Sequence, residues 1–155
     1  MKEIKLTKGY VTLVDDDDYD YLSQWSWWAH KKDDGTFYAE RRYYIGKQQV
    51  CVLMHRIIMK TPKGLVVDHI DHNGLNNQKS NLRNCTHKQN MCNRTSFGKS
   101  EYLGVYFYKN LWHAQLRHNG KIIKLGSSKI EEEAARKYDI GAKIYHGEFA
   151  NLNFK

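Results

Sequence analysis

The chain has 155 residues, with 25 Lys+Arg against 17 Asp+Glu, a formal charge of +8 and a pI near 9.3. Its 41 % hydrophobic and 13 % aromatic content excludes a disordered tail, and no apolar run reaches the ~18–20 residues that cross a bilayer. The N-terminal stretch MKEIKLTKGYVTLVDDDDYD has no signal-peptide core or cleavage site, so a soluble, intracellular protein is expected, of one ordinary domain or a few small ones. Three cysteines, Cys51, Cys85 and Cys92, with no CxxC spacing, fit neither a disulfide scaffold nor a four-cysteine zinc site. The basic balance points to a polyanionic partner.

Residues 1–50 read as a small β-rich region. Tyr10 to Val14 is β-branched and aromatic, and the stretch from Phe37 to Ile45 follows an Asp34-Gly35 turn signal. Asp15 to Asp18 read as a solvated turn or a helix N-terminus. Trp25, Trp27 and Trp28 read as a small core, although strands rich in Tyr, Trp, Lys and Arg also suit DNA contact. Gly46-Lys47 makes the next turn, before Val50 to Leu53. In VLMHRIIMK (52–60), Leu53, Met54, Ile57 and Ile58 predict one helical face, ended by Thr61-Pro62-Lys63-Gly64.

The stretch 65–94, LVVDHIDHNGLNNQKSNLRNCTHKQNMCNR, predicts strand, polar loop, strand and helix. Thr86 and Gln89 have capping-box spacing, so the helix starts after Thr86. Hydrolysis of a phosphodiester needs an activated water, neutralised charge and a stabilised leaving oxygen, which an oxygen-ligated divalent ion and a positioned imidazole supply. Asp68 offers the hard carboxylate and His69 a base that titrates near neutrality. Asn90 can bring a second oxygen to the ion, and Asn81 can brace the loop that carries His69. Taken singly, such residues are ordinary turn and capping groups; their shared register is what carries the chemistry. His55 reads as a packed or hydrogen-bonding histidine and His87 as a surface group near the cap. Cys85, His87 and Cys92 lack the paired spacing of a zinc site.

The spacing DH-x11-N-x8-N within VDHI…NLR…T…QN resembles the HNH (His-Me finger) endonucleases, especially the homing type of phages and introns, over about residues 52–94. The resemblance implies a ββα-metal centre in which His69 activates water, Asp68 and Asn90 hold one Mg²⁺ or Mn²⁺, and Asn81 fixes the His69 loop. A second Asp-His pair, Asp71-His72, keeps His72 as an alternative base. The N-terminal segment resembles one often joined to phage HNH nucleases. For a phage-encoded enzyme the implied location is the cytoplasm of a bacterial host cell.

TSFGKS (95–100) reads as a linker. Beyond it, Leu103 to Tyr108, Leu111 to Arg117 and Lys121 to Leu125 predict three strands, joined at Lys109-Asn110 and at the strong hairpin signal Asn119-Gly120. Ser128 with Glu131 predicts a capping box, and Ala134, Ala135, Tyr138, Ala142 and Tyr145 predict the helix's apolar stripe, stopped at Gly147. Charge is polarised here: residues 101–130 carry five basic side chains and one acidic, 131–155 four and five.

Leu103-Gly104-Val105, Ala114-Gln115-Leu116-Arg117, Leu125-Gly126, Glu133-Ala134-Ala135, Tyr138-Asp139 and Asn151-Leu152-Asn153-Phe154 resemble the AP2 DNA-binding domain over nearly the whole segment. The resemblance implies a sheet that enters the major groove, with contacts at Tyr106, Tyr108, Gln115, Arg117 and Lys124. Two of these positions are usually arginine and one tryptophan, so no target sequence is carried over. Alternation puts Gln115 and Arg117 on one side of their strand. Arg117 suits guanine, Gln115 adenine, and Lys109, Lys121 and Lys124 suit phosphates.

The expected protein is therefore α+β, in modules: a β-rich region (1–50), an HNH centre (51–94), a linker (95–100), and an AP2-like three-stranded antiparallel sheet on one helix (101–155). The expected function is site-specific cleavage of double-stranded DNA, nicking one strand per active site, with no membrane and no protein partner implied. A non-catalytic, sequence-specific DNA-binding regulator and a non-specific nuclease are the alternatives.

Overall fold

The computed structural model describes residues 1–93 and 100–154; apart from Ser100, the expected linker lies outside the described residues. The chain forms an α+β structure in two compact units, Met1–His87 and Lys88–Lys155. No helix among the described residues is long and apolar enough to cross a membrane.

In the first unit β1 (Lys2–Lys5) pairs antiparallel with β2 (Val11–Val14). Only Ile4 of β1 is buried, and so short a strand with one inward residue leaves little alternation to read. The acidic run then opens α1 (Asp16–Leu22), with Asp16, Asp17 and Asp18 in its first turn, where carboxylates oppose the positive end of the helix dipole. Next comes an antiparallel sheet of order β3-β4-β5: β3 (Trp28–Lys31), β4 (Phe37–Ile45) and β5 (Gln48–Leu53). Trp27 is the buried member of the tryptophan group, donating its indole N–H to the Leu22 carbonyl at 2.8 Å, while Trp28 is exposed.

β5 runs into α2 (Met54–Ile58), so Leu53, expected on the helix, is the last residue of the strand; Met54 and Ile58 do face the core. β6 (Val66–His69) pairs antiparallel with β7 (Leu82–Cys85) in the register Asp68↔Arg83, His69↔Leu82. One hydrophobic cluster unites the unit: Ile4, Val14, Leu22 and Ala39 meet Met54, Ile58 and Leu82.

The helix expected after Thr86 is short: α3 (His87–Asn90) makes one turn and continues as a 3-10 turn, Met91–Asn93. In the second unit β8 (Val105–Tyr108), β9 (Leu111–His118) and β10 (Lys121–Ser128) form an antiparallel sheet with β9 central. Both hairpin turns have positive φ at their two central residues, 49° and 61° at Lys109-Asn110 and 49° and 78° at Asn119-Gly120, the backbone that matches strand twist in two-residue hairpins.

α4 (Glu131–His146) packs on this sheet through Ala134, Ala135, Tyr138 and Ala142. Tyr145, expected in the stripe, is 39 % exposed; Asp139 and Gly141 are buried. The Ser128–Glu131 capping box does not form. β10 continues to Ser128 and Ile130 takes the N-cap position, so the Ser128 hydroxyl accepts from the Ile130 N–H at 3.0 Å and reaches the Glu133 carboxylate instead. Gly104, at φ 73°, passes so close to Tyr138 that a Cβ there would overlap the ring. The C-terminal segment is clamped by the buried Asp139, which accepts from the backbone N–H of Asn153 (2.8 Å) and Phe154 (3.0 Å), while Asn153 Oδ1 accepts from Leu103 N–H (2.7 Å).

Candidate active site

Asp68 and His69 end β6 side by side, and alternation turns them to opposite faces of the strand. Both are buried. Asp68 stands across from Arg83, whose Nε and Nη2 donate to its Oδ2 at 2.8 and 2.6 Å. A buried carboxylate requires such a partner, because desolvation of an unpaired charge costs several kcal/mol.

His69 faces groups drawn from three other segments. Its ring meets His55 of α2 edge-on at 5.1 Å between centroids and Tyr38 of β4 at 5.7 Å. Its Nε2 lies 3.3 Å from Oδ1 of Asn77, which is fully buried. The amide orientation follows from the next bonds: Asn77 Nδ2 donates to Thr12 Oγ1 at 2.7 Å, and that hydroxyl spends its single proton on the Leu75 carbonyl at 2.7 Å. The amide oxygen therefore faces His69 and accepts from Nε2–H, which leaves Nδ1 as the unprotonated nitrogen. β2 secures this loop through its backbone as well: Leu13 N–H donates to Leu75 O at 2.9 Å and Asn77 N–H to Leu13 O at 2.8 Å.

Burial pushes the His69 imidazole below its ordinary value, against the opposing pull of the Asn77 bond, Asp71 and Asp68. The ring is thus neutral at pH 7, the state a proton acceptor needs. Burial, reinforced by His69, Arg56 and Lys32, pushes His55 down to about 3. Burial also raises Tyr38, with smaller contributions from Asp34 and Asp68.

Asn81 lies on the loop side of His69. Its carbonyl accepts from Ile70 N–H (2.9 Å), its Oδ1 from Asp71 N–H (3.0 Å), and its Nδ2 donates to Asp71 Oδ1 (2.8 Å) and Asn76 O (2.9 Å). For Asp71 burial acts upward, but bonds from Asn76, Asn73 N–H and Asn81 outweigh it and hold the carboxyl below its usual value. The 3-10 turn that delivers Asn81 is tied to the acidic run, since Lys79 N–H donates to Asp15 Oδ2 at 2.8 Å and Lys79 Nζ meets Asp18 Oδ2 at 2.8 Å. His72 takes a left-handed φ of 65° and donates its N–H to His69 O at 3.0 Å; the rings against His69 are those of His55 and Tyr38. Asn90 is half-buried, at the end of α3.

Among the described residues no group of three or more His, Cys, Asp or Glu side chains gathers as a metal site. The donors proposed from the sequence, one carboxylate and one amide oxygen, suit a hard ion such as Mg²⁺, which keeps several waters and takes one or two protein ligands beside substrate phosphate. The Asp68 carboxylate fits that role, and at Oδ2 an ion would compete with Arg83.

In the second unit Tyr106, Tyr108, Gln115, Arg117 and Lys124 share one sheet face, because Tyr106 registers with His113, Lys124 with Gln115 and Ile122 with Arg117. Lys109 sits in the β8–β9 turn. Lys121 registers with His118, on the parity of the helix-covered face, where it is exposed at the rim. No motif or spacing in the sequence marks Thr12, Tyr38, Asn77 or Arg83 as site residues; an Asn in a polar loop is ordinary until β2 buries it.

Residues 52–92 match the family model of HNH endonucleases. No solved structure matches the chain. A protein of Acanthamoeba polyphaga mimivirus described as an uncharacterized HNH endonuclease is 34 % identical over 149 residues, 94 % of this chain and 76 % of the relative. Identity sustained through nearly the whole chain, with the family model falling on the strand pair that bears Asp68 and His69, makes this chain a member of the HNH endonuclease family.

Proposed function

We propose that the protein is a site-specific, metal-dependent DNA endonuclease of homing type that nicks one strand of double-stranded DNA per active site. The reading rests above all on His69: a buried, neutral imidazole that Asn77 orients through Nε2–H, which makes Nδ1 the basic nitrogen of the ring. Once protonated, the ring is stabilised by the same Asn77 bond and by the nearby carboxylates Asp68 and Asp71, the groups that oppose burial in its titration. Asn81 holds the loop after His69 through Asp71, so the imidazole is fixed from both ends of its segment. The stretch 66–90 of the sequence is read as the ββα-metal element, whose Asp68 and Asn90 would hold one Mg²⁺ or Mn²⁺. The bound ion supplies charge neutralisation at the phosphate and at the 3′ leaving oxygen.

Residues 101–155 are read as an AP2-like module that chooses the target. The open sheet face bearing Tyr106, Tyr108, Gln115, Arg117 and Lys124, with α4 on the opposite side, supports that reading. Such a face combines base-reading amide and guanidinium groups with phosphate-binding cations.

Cleavage of supercoiled plasmid carrying DNA from beside the gene tests the proposal, with Mg²⁺, Mn²⁺ or EDTA and with wild type, His69→Ala and His72→Ala. Metal-dependent nicking lost in His69→Ala and kept in His72→Ala is expected. Loss in His72→Ala alone would move the base to His72, and tight binding without cutting by any form would make the protein a DNA-binding regulator.

A further inference from the structure

The outer halves of β4 and β5 leave the body of the first unit. β3 pairs with β4 only from Phe37 to Glu40, so from Arg41↔Val52 to Ile45↔Gln48 the two strands run on as a ribbon. Every residue from Arg42 to Gln49 is exposed, with Tyr44 at 67 % and Ile45 at 65 %. An uncovered ribbon with exposed aromatic and aliphatic residues is an aggregation hazard unless charge protects it or a partner covers it.

Its chemistry selects the partner. From Arg41 through Val67 the chain carries six basic residues (Arg41, Arg42, Lys47, Arg56, Lys60, Lys63) and no Asp or Glu. At the ribbon Arg41, Arg42 and Lys47 stand among the phenols of Tyr43 and Tyr44 and the amides of Gln48 and Gln49. A two-stranded ribbon has the width that B-DNA's ~12 Å major groove admits, and Gln and Arg are side chains that read adenine and guanine there. The surface is also partly set in advance: Gln49 Nε2 donates across the strands to Tyr44 Oη at 3.2 Å, and Arg42 is tied through Nε to Glu40 with its guanidinium 5.5 Å over the Trp28 ring. Side chains held before contact lose less freedom on binding.

The ribbon is continuous with the candidate active site. Tyr38, Glu40, Arg42 and Tyr44 alternate on one face of β4, and the Tyr38 ring lies against His55 and His69. Six residues at ~3.3 Å each separate Tyr38 from Tyr44, roughly 20 Å along the strand, less than one ~34 Å turn of duplex. The geometry points to the β4–β5 ribbon as a second DNA-reading element, entering the major groove within one helical turn of the phosphate attacked at His69. Its place beside the cut rests on the proposed nuclease function; its binding of duplex DNA does not.

Selection from a random duplex library with the full chain carrying His69→Ala tests this. Added in separate chains are Tyr44→Ala with Gln49→Ala, Lys47→Glu, and Arg117→Ala as reference. The Tyr44/Gln49 variant is expected to lose base preference over a block of positions that Arg117→Ala leaves intact. Lys47→Glu is expected to bind the selected duplex at least about tenfold more weakly with a shallower salt dependence; sited in the exposed turn, it decides the matter if the double variant fails to fold. Wild-type motif and affinity in both variants would overturn the inference. Plasmid nicking by the chains with His69 intact, run in parallel, keeps the readings apart. Absent nicking with the expected binding losses sinks the nuclease function alone, whereas a cut more than one turn from the lost block sinks the placement of the ribbon.

Discussion

Asn77 holds His69 from beneath: its amide oxygen lies 3.3 Å from Nε2 of the imidazole, and its amide nitrogen is anchored 2.7 Å from the hydroxyl of Thr12, 65 positions earlier in the chain. The base of the proposed nuclease is thus oriented by a residue that β2 locks in place.

Replacing Asn77 with Ala removes the acceptor for Nε2–H of His69 and the amide that donates to the buried Thr12 hydroxyl. A positioned general base contributes ~10²–10⁴ in rate, so single-turnover nicking should fall by about 10- to 100-fold in Asn77→Ala. Stability should drop by about 1–3 kcal/mol from the unsatisfied groups. Thr12→Val, which keeps the volume but loses the hydroxyl, should show a smaller rate loss of the same kind. Full nicking rates in Asn77→Ala, with the fold verified, would contradict the role assigned to it.

His55 makes the first unit sensitive to acid. Its imidazole is held down to about 3 by burial, next by His69, whereas an unfolded histidine titrates near ~6.5. The unfolded chain therefore binds a proton between those values that the folded chain refuses, so stability is complete above pH 6.5 and falls as pH drops toward 3. At pH 5 the loss amounts to about 2 kcal/mol, and the lowered His69 adds to it in the same direction. Urea midpoints at pH 7.5 and pH 5 measure it. His55→Gln, which cannot take up the proton, should show a smaller decline than wild type; equal declines in both chains would locate the acid sensitivity elsewhere.

Arg83 already occupies Oδ2 of Asp68, the oxygen that a divalent ion in the proposed centre would have to share. Arg83→Gln leaves that buried charge short of its cation and should destabilise the first unit by about 3–5 kcal/mol. Mg²⁺ should restore part of this, giving the variant a larger upward shift in Tm with added ion than wild type shows. Asp68→Asn should abolish the shift in either background. Thermal melts with and without Mg²⁺ decide it, and an undiminished Mg²⁺ response in Asp68→Asn would remove Asp68 from the ligand set.

Gly104→Ala combines a positive φ with an overlap on the Tyr138 ring. Backbone strain and overpacking together should cost the second unit about 2–4 kcal/mol. Hydrogen exchange followed by mass spectrometry should show lost protection in residues 100–154 and retained protection in β6 and β7. Equal loss in both units would mean that they unfold together.

Arg117→Ala should relax base choice at one position of the target by about 1–3 kcal/mol while leaving the plasmid-nicking chemistry intact. A selected motif identical to that of wild type would move the contact off this face of the sheet.

Local chemistry made much of the molecule legible. Positive-φ dipeptides such as Asn119-Gly120 announce their hairpin, and a β-branched run ending in Asp68-His69 announces a strand with reactive groups at its end. The Ala134–Ala142 spacing likewise announces the buried side of α4. Each of these signals is complete within a few residues, because turn geometry, strand alternation and helical period are properties of short stretches of backbone.

What surrounds His69 is of another kind. Thr12, Tyr38, His55 and Asn77 meet there because β2, β4 and α2 pack around one core, and contacts between segments tens of residues apart leave no period in the chain. The tertiary structure alone decided that Asn77 is buried, that His55 stays neutral, and that the acidic run steadies the turn bearing Asn81. It also decided that Ser128 stands two residues ahead of the N-cap of α4, where the length of β10 puts it. The sequence by itself determined most of the elements and the candidate pair Asp68-His69; the packing of those elements set the tautomer of His69, since the hydrogen bond at one ring nitrogen decides which nitrogen carries the proton.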